Sequence, residues 1–140
     1  MKDHQLTTVW EPSRNEIEPI LDGLRQFGIQ AIGGVNQKSV AVLLKDASGG
    51  VVGGASGHEI LGHFHLNNLW VETSLRGQGY GSNILQRIIS QAREMDCSEI
   101  RLDSMNPRST PFYEKHGFKI YAEIADYLPG FTRTFYTKLV

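Results

Sequence analysis

The sequence predicts an α/β domain (α+β) with a mixed, mostly antiparallel central sheet. Two observations support this prediction. From Lys38 onward, apolar and polar residues alternate with a period of two, and glycine-rich turns divide the pattern into strands. A strand, a glycine turn, a helix and another strand then follow in the order of a right-handed parallel crossover. We expect one domain over residues 1–140, which is long enough to bury a sizeable core.

The N-terminal part is expected to hold one strand and one helix. Residues Leu6–Trp10 are rich in strand-forming residues. Apolar residues then recur at helical spacing over Ile17–Phe27, with Pro19 near the first turn and Gly28 at the stop. The pair Gly33-Gly34 indicates a loop, so little room remains for a second full helix before the sheet.

Three strands are predicted next, as an antiparallel meander. The first begins at Lys38, and Asp46–Gly50 forms the turn of a hairpin. The second strand, Val51–Ile60, is rich in glycine, which indicates bulges or a close approach of the backbone. The third strand is His63–Glu72, and it leads directly into a glycine loop.

The C-terminal half predicts two helices and three more strands. Apolar residues form one stripe of a helix over Gly79–Met95, and a strand follows over Glu99–Met105. Ser109 is expected to cap a short helix that Gly117 ends in a left-handed conformation. The last two strands are expected at Lys119–Ala125 and Thr132–Leu139.

The most informative stretch is Arg76-Gly77-Gln78-Gly79-Tyr80-Gly81, between a strand and a helix. Glycines let a backbone approach a ligand closely, and the first N–H groups of a helix attract anions. The stretch therefore predicts a phosphate site, with tight packing alone as the alternative. A P-loop would need Gly-Lys-Ser/Thr, which is absent. A Rossmann motif would need Gly-x-Gly-x-x-Gly and an initial βαβ unit, so Asp103 is not read as a ribose ligand.

Composition excludes several classes of function. The net charge of -1 gives no reason to expect nucleic acid or an anionic membrane as partner. A single cysteine, Cys97, rules out an internal disulfide and fits a cytoplasmic location. The N-terminus lacks an apolar signal core, and no apolar run is long enough to span a bilayer.

The pattern Arg76-x-x-Gly79-x-Gly81, followed by Asn106 and by the segment Phe112–Phe118, resembles the GNAT superfamily of N-acetyltransferases. The order of elements agrees from about residue 38 to the end. The resemblance implies six to seven strands flanked by helices, with a splayed cleft between the fourth and fifth strands. It also implies that acetyl-CoA lies in this cleft, with its pyrophosphate on the glycine loop and its pantetheine arm paired with the backbone of Leu69–Val71.

The implied binding residues for acetyl-CoA are Leu69, Trp70, Val71, Arg76, Gly77, Gln78, Gly79, Tyr80, Gly81, Ser82 and Asn106. The chain departs from the family pattern in two places. The segment before Lys38 is short, which leaves the acceptor class open. Pro111 stands where family members often have a small residue, and it offers no N–H donor.

Acetyl transfer to an amine needs a base and a proton source for the leaving thiolate. His65 is the candidate base. As alternatives, Asn67 and Asn68 would hold a water that takes the proton, or Glu59 or Glu72 would do the same work. The resemblance makes Tyr113 the candidate acid; without it, a core tyrosine is the simpler interpretation. The spacing of His58, His63 and His65 also suggests a metal site, but the sequence shows neither its geometry nor its second shell, and no metal is expected.

The sequence therefore predicts an N-acetyltransferase that moves acetyl from acetyl-CoA to a primary amine in a ternary complex. The acceptor is expected to be a small molecule or peptide, and acidic residues favour a cationic one: Glu59, Glu72, Glu123 and Asp126. The alternative function is a non-catalytic acyl-CoA-binding sensor or interaction module on the same fold, which only turnover separates from an enzyme. Exposed edges of the last hairpin allow a homodimer.

Overall fold

The computed structural model describes residues 3–32 and 37–140 in two compact units, one over Met1–Val35 and one over Asn36–Val140. The first unit contains one helix, α1 (Arg14–Ile32). Ser13 precedes it and accepts the N–H of Glu16 at 3.1 Å, while the Glu16 carboxylate accepts the N–H of Ser13 at 2.8 Å. This reciprocal pair satisfies two backbone groups at the start of the helix. Among the described residues, no helix is both long enough and apolar enough to cross a membrane.

Three predictions for this unit need correction. Leu6–Trp10 is not a strand, because a strand needs a paired neighbour and none of the described strands pairs with it. The helix does not stop at Gly28, since that glycine has no positive φ and glycine inside a helix costs only about 1 kcal/mol. Pro19 lies in the second turn of α1. The loop predicted at Gly33-Gly34 lies outside the described residues.

The second unit is a six-stranded sheet with two α-helices. Its strands are β1 (Lys38–Lys45), β2 (Val51–Ile60), β3 (His63–Val71), β4 (Glu99–Ser104), β5 (Lys119–Leu128) and β6 (Phe131–Leu139). The order across the sheet is β1-β2-β3-β4-β6-β5, and only the pair β3 and β4 is parallel. The mixed, mostly antiparallel sheet predicted from the sequence is confirmed.

The core lies between the sheet and helix α2 (Tyr80–Glu94). The stripe predicted for this helix is buried at Ile84, Leu85, Ile88, Ile89 and Ala92. From the sheet, Phe64 and Ile100 are completely enclosed in the same cluster. Burial of this apolar stripe fixes the position of the N-terminus of α2, where the glycine loop ends.

Strand β3 contains a bulge at Asn67. Ser56 of β2 pairs with Asn68, whereas the next residue, Gly57, pairs with Leu66, so Asn67 has no partner in β2. A Cβ at Gly57 would collide with the His65 carbonyl oxygen, which explains why a glycine stands here. The bulge reverses which side chains face α2 beyond it.

The bulge coincides with the place where β3 and β4 separate. The two strands pair only over His63–His65 and Glu99–Arg101. Beyond these residues β4 keeps its antiparallel partner β6 as far as Ser104, while β3 continues without β4. The predicted splayed cleft is therefore present, and one edge of β3 is left unpaired over its C-terminal half.

Helix α3 (Ser109–Glu114) begins differently from the prediction. Ser109 is its first helical residue rather than its cap, and its hydroxyl lies 2.7 Å from Ser104 Oγ. Arg108 is the residue before the helix, and no side chain caps the first turn. Asn106 instead forms a turn ahead of the helix, since its Oδ1 accepts the N–H of Arg108 at 3.0 Å. At the other end, Gly117 has φ +86° and ends the helix as predicted.

Candidate active site

A groove of about 310 Å³ lies where β3, the glycine loop, α2 and α3 meet. It is lined by Val71, Leu75, Arg76, Gly77, Gly79, Tyr80, Gly81, Ser82, Phe112 and Lys115. Seven of these residues belong to the set that the sequence assigned to acetyl-CoA. The other three are Leu75, Phe112 and Lys115. Phe112 lies in α3 and Lys115 directly follows it, and their spacing of three residues places them on one face of this segment.

The floor of the groove is the N-terminus of α2. Gly79 precedes the helix in a left-handed conformation, with φ +88°, and no side chain caps the first turn. The first helical hydrogen bond runs from the N–H of Asn83 to the carbonyl oxygen of Gly79 at 3.0 Å. The N–H groups of Tyr80–Ser82 therefore have no partner inside the helix. An added Cβ at Gly79 would meet no atom within 4 Å, so the space beside this residue is open.

The charge of the groove is positive. Arg76 lies at one wall, where its Nε donates to the Val71 carbonyl at 3.0 Å and its other nitrogens remain for a ligand. Lys115 contributes a second cation from α3, with Nζ 6.0 Å from the centre of the Phe112 ring. No carboxylate lines the groove. Together with the helix dipole, these groups form an anion site of the kind that a pyrophosphate fits.

Four predicted coenzyme residues lie outside the lining of this groove. Gln78 turns away, and its side-chain amide donates to the Ser74 carbonyl at 3.2 Å. The Asn106 side chain is engaged in the turn before α3, where it accepts the N–H of Arg108. Leu69 packs against the core, and Trp70 is half exposed on the other face of β3. The sequence assigned the last two through their backbone, and that stretch of backbone borders the cleft where β4 has separated.

A second cavity of about 280 Å³ opens in the cleft between β3 and β4. It is lined by His65, Leu66, Asn67, Arg101, Leu102, Asp103, Tyr121 and Phe135. His65 is thus at the cleft, on the face of β3 opposite α2. The charged residues of the cavity are ion-paired, since Arg101 contacts Glu99 at 2.7 Å and Asp103 contacts Arg133 at 2.8 Å.

The surroundings of His65 keep its imidazole neutral. Burial is the main cause that lowers the pKa of His65, and the nearby His58, Arg101 and His63 lower it further, against the opposing charge of Glu99. The ring stacks on His58 with centroids 5.3 Å apart and planes 13° apart. A neutral imidazole is the form that can accept a proton.

Glu99 holds the charged groups beside His65 in place. Its Oε1 accepts from Arg101 Nη2 at 2.7 Å and lies 2.8 Å from His63 Nδ1, while its Oε2 accepts from the Thr137 hydroxyl at 2.8 Å. The hydrogen bond from Arg101 is the main cause that lowers the pKa of Glu99. The carboxylate therefore stays charged and holds the side chain of Arg101, the β4 residue that pairs with His65.

Residues 5–118 match the model of the acetyltransferase (GNAT) family. The chain belongs to this family. A curated relative, blasticidin-S acetyltransferase from Streptomyces morookaense, is 34% identical over 85 residues. The match covers 60% of this GNAT chain and 62% of the relative, so the chain spans less than two thirds of that relative's length.

Solved structures share the GNAT fold. A protein from Agrobacterium tumefaciens assigned as an acetyltransferase gives a TM-score of 0.92 at 23% identity, over 98% of this chain and 100% of its own. An acetyltransferase from Bacillus cereus gives a TM-score of 0.82 at 29% identity, and the match covers 96% of this chain and 98% of that protein. A third structure, of a Bacillus anthracis protein assigned as a streptothricin acetyltransferase, was solved in complex with acetyl coenzyme A. Its TM-score is 0.63 at 16% identity, and the match covers 73% of this chain and 62% of that protein. The first and third likenesses concern the fold alone.

In this GNAT protein, the candidate acid Tyr113 lies in the core and lines neither cavity. Its ring contacts Phe112, Phe118 and Tyr136, with centroids 5.1, 5.6 and 5.2 Å away. Burial raises the pKa of Tyr113 to about 12, so the phenol keeps its proton at neutral pH. Its role as the acid stays a prediction.

The acidic residues that the sequence offered to a cationic acceptor are placed elsewhere. None of them lines the groove or the cleft cavity: Glu59, Glu72, Glu123 and Asp126. Glu59 instead accepts the N–H of Gly62 at 2.9 Å and closes the turn between β2 and β3. Within residues 3–32 and 37–140, no three His, Cys, Asp or Glu side chains are grouped to hold a metal ion.

Proposed function

We propose that this GNAT protein transfers the acetyl group of acetyl-CoA to a primary amine by direct attack in a ternary complex. The observation that carries the proposal is the unpaired edge of β3, which lies between a positively charged groove and a cavity lined by an imidazole of lowered pKa. The groove at α2 supplies helix amides, Arg76 and Lys115 for the pyrophosphate. The unpaired edge of β3 runs from Val71 towards the cleft cavity that His65 lines.

The cofactor would bind through these groups in order. The pyrophosphate would accept hydrogen bonds from the first amides of α2, and the pantetheine arm would pair with the backbone of Leu69–Val71 as an added strand. The thioester would then reach the cleft beside the bulge at Asn67. The acetyl-CoA complex of the Bacillus anthracis protein, which shares the fold, supports acetyl-CoA as the acyl donor.

The reaction moves one acetyl group and one net proton. The amine nitrogen attacks the thioester carbonyl carbon, and a strand amide near Leu69 stabilises the oxygen on which negative charge develops. The C–S bond breaks as the amide C–N bond forms. His65 takes a proton from the attacking nitrogen, directly or through a water, and the Tyr113 phenol protonates the departing thiolate. Solvent then restores the proton of Tyr113 and removes that of His65.

The assignment of His65 predicts a pH dependence. The rate at low acceptor concentration should fall as the pH drops through an apparent pKa below about 6.5, because protonation of His65 removes the base. NMR titration of the His65 ring should give the same pKa, which separates the enzyme's group from the acceptor's amine. His65→Ala should remove this acidic limb and lower the rate by roughly 100-fold.

His58→Phe provides the matched variant for this experiment. Phenylalanine keeps an aromatic ring stacked on His65 but removes the neighbouring imidazole that lowers its pKa. Both the NMR pKa and the acidic limb should therefore move upward together. A profile that is the same in wild type, His65→Ala and His58→Phe would remove His65 from the mechanism.

Turnover is the test of the proposed function. We would screen primary amines with acetyl-CoA, follow the release of free coenzyme A thiol, and identify products by mass spectrometry. The expected result is thiol release that depends on both the amine and the enzyme, with an acetylated amine as product. Tight binding of acetyl-CoA without thiol release for any amine would favour a non-catalytic acyl-CoA-binding module.

A further inference from the structure

A third recess, which we call the polar recess, lies across β1, β2 and β3 on the sheet face opposite α2. Its volume is about 530 Å³. Its polar side chains are Gln37, Ser39, Ser56, His58, Asn67 and Asn68. Among residues 3–32 and 37–140, no Asp, Glu, Lys or Arg lines it, in contrast to the groove at α2. The recess is therefore built for hydrogen bonding without a fixed charge.

Two hydrogen bonds arrange these side chains. The Asn68 amide nitrogen donates to Ser56 Oγ at 2.9 Å. The Nδ1 of His58 lies 2.7 Å from Asn67 Oδ1. Because an amide oxygen only accepts, Nδ1 carries the proton of a neutral His58 and its Nε2 remains an acceptor. The recess thus retains both donors, at the Asn67 amide and the Ser56 hydroxyl, and acceptors, at His58 Nε2 and the Asn68 carbonyl.

The polar recess adjoins the cleft cavity. Asn67 lines both of them, because it is the bulge residue at which β3 leaves β4. His58 of the recess stacks on His65 of the cleft at 5.3 Å. A molecule bound in the recess could therefore extend a reactive group past Asn67 to the candidate base His65, on the sheet face opposite α2.

We propose that the polar recess binds the neutral, hydroxyl- or amide-bearing body of the acceptor, while the acceptor's amine reaches His65. This inference rests on the proposed function. It replaces the cationic acceptor that the sequence favoured, since no acidic side chain lines the recess and the one in the cleft, Asp103, is paired with Arg133. The acceptor class is thus a polar amine such as an amino sugar, rather than a polyamine.

Two variants of one residue test the proposal with two probe amines, D-glucosamine and 1,4-diaminobutane. Asn68→Leu removes an acceptor from the recess and the hydrogen bond that positions Ser56 Oγ. KM for glucosamine should therefore rise roughly tenfold, while kcat stays within about twofold because Asn68 does not line the cleft cavity. Asn68→Asp keeps the shape but adds a negative charge, so the ratio of kcat/KM should shift roughly tenfold towards diaminobutane. Calorimetry should show an unchanged Kd for acetyl-CoA, because Asn68 lies outside the groove at α2.

The outcomes distinguish this inference from the proposed function. If wild-type protein acetylates both amines and neither variant changes their ratio, the polar recess does not contact the acceptor, while the transferase activity stands. NMR of the Asn67 and Asn68 side-chain amides gives a readout without turnover, with N-acetylglucosamine as the probe. Shifts of these signals without any turnover would keep the binding site and reject the transferase; unchanged signals at millimolar probe would overturn the site.

Discussion

Replacement of Gly79 by valine is expected to weaken acetyl-CoA binding by at least roughly tenfold, and by about 100-fold if more than one contact is lost. A charge-assisted hydrogen bond is worth about 1.5–3 kcal/mol, and Gly79 lines the groove together with the first residues of α2, so a branched side chain there should hinder a phosphate from reaching their amides. Calorimetric titration of acetyl-CoA into the folded variant measures the change in Kd.

Gly49→Val is the matched control for backbone strain. Gly49 lies in the hairpin turn between β1 and β2, with φ +87° and no atom within 4 Å of an added Cβ. It therefore shares the left-handed conformation and open surroundings of Gly79, but it does not line the groove at α2. Both variants should lose similar stability in thermal unfolding, and only Gly79→Val should lose affinity. Wild-type affinity in Gly79→Val would show that the pyrophosphate binds elsewhere.

Tyr113→Phe is expected to lower kcat by roughly 10- to 100-fold with little change in acetyl-CoA affinity. The phenol has a raised pKa and is protonated at neutral pH, whereas the coenzyme A thiolate resembles that of cysteine and leaves without much assistance. The penalty should therefore stay below the upper range of general acid catalysis. Phenylalanine keeps the contacts of the ring with Phe118 and Tyr136, so the melting temperature should shift little.

Tyr136→Phe is the companion control in the same aromatic cluster. Tyr136 is also buried, but its hydroxyl lies 2.6 Å from the Thr110 hydroxyl, so this variant should lose roughly 0.5–1.5 kcal/mol of stability and keep its kcat. Equal effects of the two variants on stability and turnover would return Tyr113 to a purely structural role. Full activity of Tyr113→Phe, with chemistry shown to limit turnover, would exclude it as the acid.

The elements that local sequence determines were predicted well. The meander, helix α2 and the glycine loop each follow from periodicity or from glycines at turns, and all three are in the structure. The errors occur where a local signal competes with something non-local. Leu6–Trp10 has strand-forming residues, but it has no partner strand. Gly28 is a residue type that often ends a helix, but its φ is not positive, so α1 continues through it. Ser109 is a good capping residue, yet it lies inside the helix and its hydroxyl contacts Ser104.

The candidate site divides in the same way. The glycine loop is contiguous in the chain, so its ligand chemistry could be predicted from one stretch of sequence. Lys115 reaches the groove only because α3 packs beside α2, and the stack of His58 on His65 depends on the register between β2 and β3. Bulge position sets that register, and a bulge at Asn67 cannot be located from alternation alone. The preference for a cationic acceptor stays a prediction: none of its four acidic residues lines the groove or the cleft cavity, and spacing does not show which cavity a carboxylate lines.

Transfer of a labelled acetyl group tests the central claim most directly. Acetyl-CoA that carries deuterium in its acetyl methyl group would be incubated with the protein and an amine identified in the screen, and the products would be examined by mass spectrometry before and after hydroxylamine treatment. The proposed function predicts that the intact label appears on the amine as a hydroxylamine-resistant amide, with one coenzyme A thiol released per product. Label found only in free acetate, or in a hydroxylamine-labile ester, would contradict N-acetyl transfer.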